Sequence, residues 1–112
     1  MSELPPFAES ASFQSLLEEL RHSSSGLNAD DAWPAKQLNA MSKAGVLAWL
    51  IPGEFGGSNI SSADLTVGYE ELASSCLAST FVLTQRNAAI QRIVRSENEE
   101  LKKDLLPELA TD

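Results

Sequence analysis

One cysteine, one histidine and one tyrosine are all that the 112 residues hold of these side chains. With Cys76 alone, the chain can build neither an internal disulfide nor a cysteine-based zinc site, and a reducing compartment is the natural setting. Positive charge is scarce too. Eight Lys and Arg stand against sixteen Asp and Glu, a net charge of −8, so a phosphate backbone is repelled and nucleic acid is not an expected partner. Long apolar runs are missing: the longest, near Val46 to Pro52, falls far short of the roughly 20 residues that cross a bilayer. Met1 to Pro6 has neither the basic leader nor the apolar run of a secretory signal, and the expectation is a cytoplasmic protein without a membrane span.

The residues present suit one domain over residues 1–112, with 1–9 a flexible lead-in; 43% are hydrophobic, enough for a chain of this size to bury about two thirds of its unfolded surface. Apolar residues recur with helical period in five segments, and sustained alternation is absent, so the fold class is all-α, an antiparallel or orthogonal bundle of about five helices. The first helix, about Ala8 to His22, carries Phe13, Leu16, Leu17 and Leu20 inward and stops at Ser23-Ser24-Ser25-Gly26. The second begins at Trp33-Pro34 behind Asp30 and Asp31, turns Leu38 and Met41 inward and ends at Gly45. A short apolar connector, Val46 to Ile51, leads into Pro52-Gly53-Glu54-Phe55-Gly56-Gly57-Ser58-Asn59.

Ser61 and Asp64 open the third helix as a capping pair, with Leu65, Tyr69, Leu72, Ala73 and Cys76 on its inner side. The fourth, about Ala78 to Arg95, has apolar residues on more than one side and is expected to be the most buried element. The last opens with the capping box Ser96-Glu97-Asn98-Glu99, sets Leu101, Leu105 and Leu109 as its inner edge, and is ended or kinked by Pro107.

Chemistry is sparse. The glycine-rich run lacks the lysine and the directly following helix of a phosphate-binding loop, so it reads as a turn that packs Phe55. His22 reads as a cation at a helix C-terminus and Cys76 as a small buried apolar residue rather than a nucleophile. Glu97, Glu99 and Glu100 read as a solvated helix start, not a metal cluster. The fourth helix is harder to dismiss, because Thr84, Gln85, Arg86 and Asn87 put four polar groups inside an otherwise apolar helix, and buried polar groups need partners. Either they meet neighbouring helices, another domain or another subunit, or Thr80 and Thr84, one turn apart, face a ligand cavity.

Trp33-Pro34, the run Ala44-Gly45-Val46-Leu47-Ala48-Trp49-Leu50-Ile51-Pro52-Gly53-Glu54-Phe55-Gly56-Gly57, then Glu70-Glu71-Leu72-Ala73, and finally Glu99 to Ala110 follow one another in an order and spacing that resemble the N-terminal helical domain of the acyl-CoA dehydrogenase family. The resemblance covers roughly residue 10 onward. It implies a helical bundle that precedes a β-domain and a C-terminal helical domain, neither of which is in this chain. It implies FAD as cofactor of the complete enzyme and an acyl-CoA type substrate, from which a carboxylate takes the α-proton while the β-hydrogen leaves as hydride. Catalytic residues, flavin ligands and metal ligands are assigned to no position here. The family's helix matching Ala78 to Arg95 walls the acyl pocket, which implies Thr80 and Thr84 as substrate-binding residues. Gln85 and Arg86 depart from the common pattern and point away from a simple straight-chain substrate; an acyl-CoA oxidase or a flavin monooxygenase of the same fold is an alternative. The chain alone is expected to be inactive and the complete enzyme a homo-oligomer. A noncatalytic helical interaction module is the competing reading.

Overall fold

The structure, a computed structural model, describes residues 10–23 and 33–111. Five α-helices make up the described residues, without a strand: α1 (Ala11–Ser23), α2 (Ala35–Lys43), α3 (Ser62–Ser75), α4 (Leu77–Val94) and α5 (Glu99–Thr111). Two 3-10 turns, Val46–Ala48 and Gly53–Phe55, lie between α2 and α3. The all-α expectation is met. The molecule extends 41 × 40 × 19 Å, so its short dimension holds about two layers of helices, each roughly 10 Å across.

Local chemistry sets the boundaries. Ser10 Oγ accepts the Phe13 N–H, so α1 begins at Ala11, three residues after the expected start. Its stripe of Phe13, Leu16, Leu17 and Leu20 is buried, and Arg21 and His22 occupy the last turn, where cations suit the helix dipole. The predicted lead-in, the stop at Ser24 to Gly26 and the Asp30-Asp31 cap lie outside the described residues. Helix α2 closes at Gly45, whose φ of 81° is a left-handed value that suits glycine. Gln37 is buried and donates from Nε2 to the Ser23 carbonyl at 3.1 Å, tying α2 to the end of α1.

Most of the interior is one cluster drawn from α1, α2, the Val46–Trp49 connector, α3 and the first half of α4. Met41, Leu17, Leu20, Val46, Leu72 and Leu83 are fully enclosed there, and the Phe13 and Trp49 rings meet with centroids 5.9 Å apart. A smaller cluster joins Ile51, Ile90 and Leu106, with Phe55, Ile93, Leu109 and Ala110 against it. The glycine-rich run closes this second cluster and packs Phe55, as read from the sequence. It folds back on the connector through Ser58 N–H to the Ala48 carbonyl and Ile60 N–H to the Trp49 carbonyl, both at 2.9 Å. Gly57 lies so close to Ile51 that a Cβ would overlap the Ile51 carbonyl.

Four expectations require correction. Helix α4 is not the most buried element: Leu77 and Phe81 are 71% and 64% exposed, because its apolar residues lie on more than one side and the described residues cover only part of it. Cys76 does not lie on the third helix; it is the extended junction that ends α3 and starts α4, although it is buried as anticipated. The cap of α5 is Asn98, whose Oδ1 accepts the Leu101 N–H at 3.1 Å, whereas Ser96 Oγ accepts from Asn98 N–H in the preceding turn. The inner edge of α5 is Leu106 with Leu109 and Ala110, not Leu101 and Leu105, which are 36% exposed. Two apolar edges compete there, and contact with Ile51 and Ile90 selects the one containing Leu106. Pro107 sits inside the helix without ending it.

Candidate functional site

Residues 80, 84, 87 and 91 stand at i, i+4, i+7 and i+11 along α4 and therefore share one face. They are Thr80, Thr84, Asn87 and Gln91, a polar stripe bordered by Leu83 and Ile90 on the buried side and by Leu77 and Phe81 on the open side. Thr80 is buried and its hydroxyl donates to the Cys76 carbonyl at 2.8 Å; Thr84 is half-buried and its hydroxyl donates to the Phe81 carbonyl at 2.7 Å. Each hydroxyl proton is thus used within its own helix, which leaves the methyl group and the oxygen's lone pairs to meet a neighbour.

Asn87 reaches further. It is 1% exposed, and its Nδ2 donates to the Tyr69 hydroxyl of α3 at 2.8 Å. Its Oδ1 has no hydrogen-bond partner among the described residues. An unpaired polar atom at such depth costs about 1–3 kcal/mol. Burial pushes the Tyr69 phenol above its ordinary 10.0, and the hydrogen bond from Asn87 opposes that rise without cancelling it. Asn87 stood out in the sequence as a polar residue in an apolar helix; Tyr69 did not, because its spacing is that of an ordinary core position.

Arg86 is a tie between elements. One guanidinium nitrogen donates to the Leu47 carbonyl at 2.7 Å, and the other to the Leu109 carbonyl of α5. Arg86 also borders a cleft of about 340 Å³ with Trp33, Leu38, Asn39, Ser42, Leu47 and Val82, on a different side of α4 from the threonines. Neither Thr80 nor Thr84 lines this cleft.

Other candidates assemble nothing. Among the described residues no three His, Cys, Asp or Glu side chains come together as metal ligands, and no helix is long and apolar enough to cross a membrane. Glu99 pairs with Lys102 on the surface at 3.3 Å. The glycine-rich corner does not fit a flavin's phosphates: the N–H groups of Gly56, Gly57, Ser58 and Asn59 are all taken by backbone carbonyls of the same corner.

The family model "Acyl-CoA dehydrogenase, N-terminal domain" matches residues 13–112, and the chain belongs to that family. It is also similar to acryloyl-CoA reductase (NADH) of Anaerotignum propionicum, 29% identical over 91 residues, which is 81% of this chain and 23% of that protein. The chain spans about a quarter of the length of this relative. No solved structure matches it at a significant level.

Proposed function

We propose that this chain is the N-terminal helical part of an FAD-dependent oxidoreductase of the acyl-CoA dehydrogenase type, acting on the CH–CH bond of acyl thioesters, and that α4 forms one wall of its substrate site. Family membership and the thioester named in the relative support the class of reaction. The observation that carries the structural part is α4 itself: it has apolar residues on more than one side, and Leu77 and Phe81 remain exposed. In this reading flavin, catalytic base and the other walls come from further polypeptide, as in the family the chain belongs to. Hydride transfer needs a site closed to water, so the chain alone is inactive. The complete enzyme is cytoplasmic and self-associates in this reading.

Thr80 and Thr84 border the acyl chain through their methyl groups, Thr84 from the more open position. Replacing Thr84 by Leu in the complete enzyme adds bulk to the wall and shortens the longest acyl chain accepted. Kinetics over a series of chain lengths checks this, and an unchanged profile removes Thr84 from the site. Flavin binding by the purified 112-residue chain, with bleaching on addition of an acyl-CoA, would overturn the proposed division of labour.

The exposed pair Leu77 and Phe81, with Trp33 also open, favours a second reading as a noncatalytic interaction module. Light scattering separates the two: the module predicts stable association of the chain by itself, which Phe81→Ser abolishes.

A further inference from the structure

One line of side chains runs along the open side of α4. Leu77, Phe81, Thr84, Ala88, Gln91 and Arg95 stand at i, i+4, i+7, i+11, i+14 and i+18, and none of them is buried. Their sizes follow an order. Two large apolar side chains come first, two small residues, Thr84 and Ala88, come next, and a long amide and a guanidinium close the line. The line is therefore notched in its middle. Phe81 and Gln91 lie about 15 Å apart along the axis, and half the width of each flanking side chain leaves roughly 9 Å of low surface between them. The Thr84 hydroxyl proton is held by the Phe81 carbonyl, so methyl groups of Thr84 and Ala88 form most of the notch floor.

A floor of methyl groups suits hydrocarbon, and its unequal ends give the hydrocarbon a direction. The Phe81 ring suits a terminal methyl, whereas Gln91 and Arg95 suit the polar end of a ligand. Lying along the helix at van der Waals contact, an acyl group of about four or five carbons fills roughly 9 Å. We propose that the notch over Thr84 and Ala88 selects short acyl thioesters of this length, with Phe81 as the stop that meets the methyl end. This rests on the reading of α4 as the acyl-facing wall. Each further methylene runs into the Phe81 ring, and overpacking a closed site costs more than the added apolar contact contributes.

Values of kcat/KM for straight-chain acyl-CoA thioesters on the complete enzyme test this. The wild type is expected to favour butyryl-CoA over octanoyl-CoA about tenfold or more, and Phe81→Ala to bring that ratio close to one by raising turnover of the longer thioester. A gain on the longer chain cannot come from misfolding. Ala88→Leu fills the notch and is expected to lower kcat/KM for butyryl-CoA about tenfold. A wild type that favours octanoyl-CoA, or a ratio that Phe81→Ala leaves in place while Thr84→Leu alters the length profile, overturns this inference and keeps the acyl-facing wall. A profile untouched by Phe81→Ala, Thr84→Leu and Ala88→Leu alike overturns both.

Discussion

The two packed regions of this molecule are held in different ways. The larger, around Leu17, Met41, Val46 and Leu72, is a cluster of ordinary aliphatic and aromatic side chains from four helices and a connector, each touching several others. The smaller has only Ile51, Ile90 and Leu106 at its centre and depends on special positions around them: a glycine that admits no Cβ, a corner stitched by backbone hydrogen bonds, and the Arg86 guanidinium on the Leu109 carbonyl. Arg86 also holds the Leu47 carbonyl, and α4 contributes Leu83 to one cluster and Ile90 to the other. The larger region is therefore redundant, and the smaller is specified by few residues without substitutes.

That contrast predicts how each region fails. Leu17→Ala, at a fully enclosed position, should cost about 3 kcal/mol and lower the denaturant midpoint of the whole chain. A cost below about 1 kcal/mol would mean that the large cluster is loosely packed. Gly57→Ala forces the Ile51 carbonyl aside at a cost of about 2–3 kcal/mol, with the damage local. Hydrogen exchange should then quicken in the corner and α5 while α1 keeps its protection, and uniform loss would show that the two regions unfold as one unit.

Arg86→Leu removes one link between the regions and strands two carbonyls, for about 2 kcal/mol, and it should increase the exchange of α5 more than that of α3. The smallest effect concerns pH. Tyr69 is the chain's one tyrosine, and its folded pKa lies above 10.0, so its contribution to stability is present below that value and lost as pH rises through the folded pKa. Phenolate absorbance of the folded chain should appear at higher pH than in denaturant, and coincident titrations would place Tyr69 in a wetter setting than the α3–α4 seam.

Much of this was legible in the chain. The stripe Phe13, Leu16, Leu17 and Leu20 could bury in only one way, and glycine at position 45 marked the end of α2 because a left-handed φ follows the helix there. Ser61 capped as read, its Oγ accepting the Asp64 N–H. Misreadings occurred where two local solutions were equally good. Asn98 and Ser96 can both cap, and only the trajectory into α5 selects Asn98. Leu101-Leu105-Leu109 and Leu106-Leu109-Ala110 are both apolar edges, and contact with Ile51 and Ile90 chooses between them.

The candidate site shows the same limit. Thr80 and Thr84 could be placed on one face from their spacing, and Asn87 flagged as a polar residue in an apolar helix. Its bond to Tyr69, 18 residues earlier, could not be read, because nothing in the spacing of α3 sets that residue apart from a core position.

Periodicity, caps and turn residues are written in near neighbours along the chain, so the sequence by itself determined an all-helical domain, most helix ends and the residues of the main interior. Which side of α4 stays uncovered, which leucines of α5 turn inward and which polar atom is left without a partner were decided only by tertiary structure. Each depends on surfaces brought together from distant parts of the chain, and local spacing carries no record of what a side chain will meet across a helix interface.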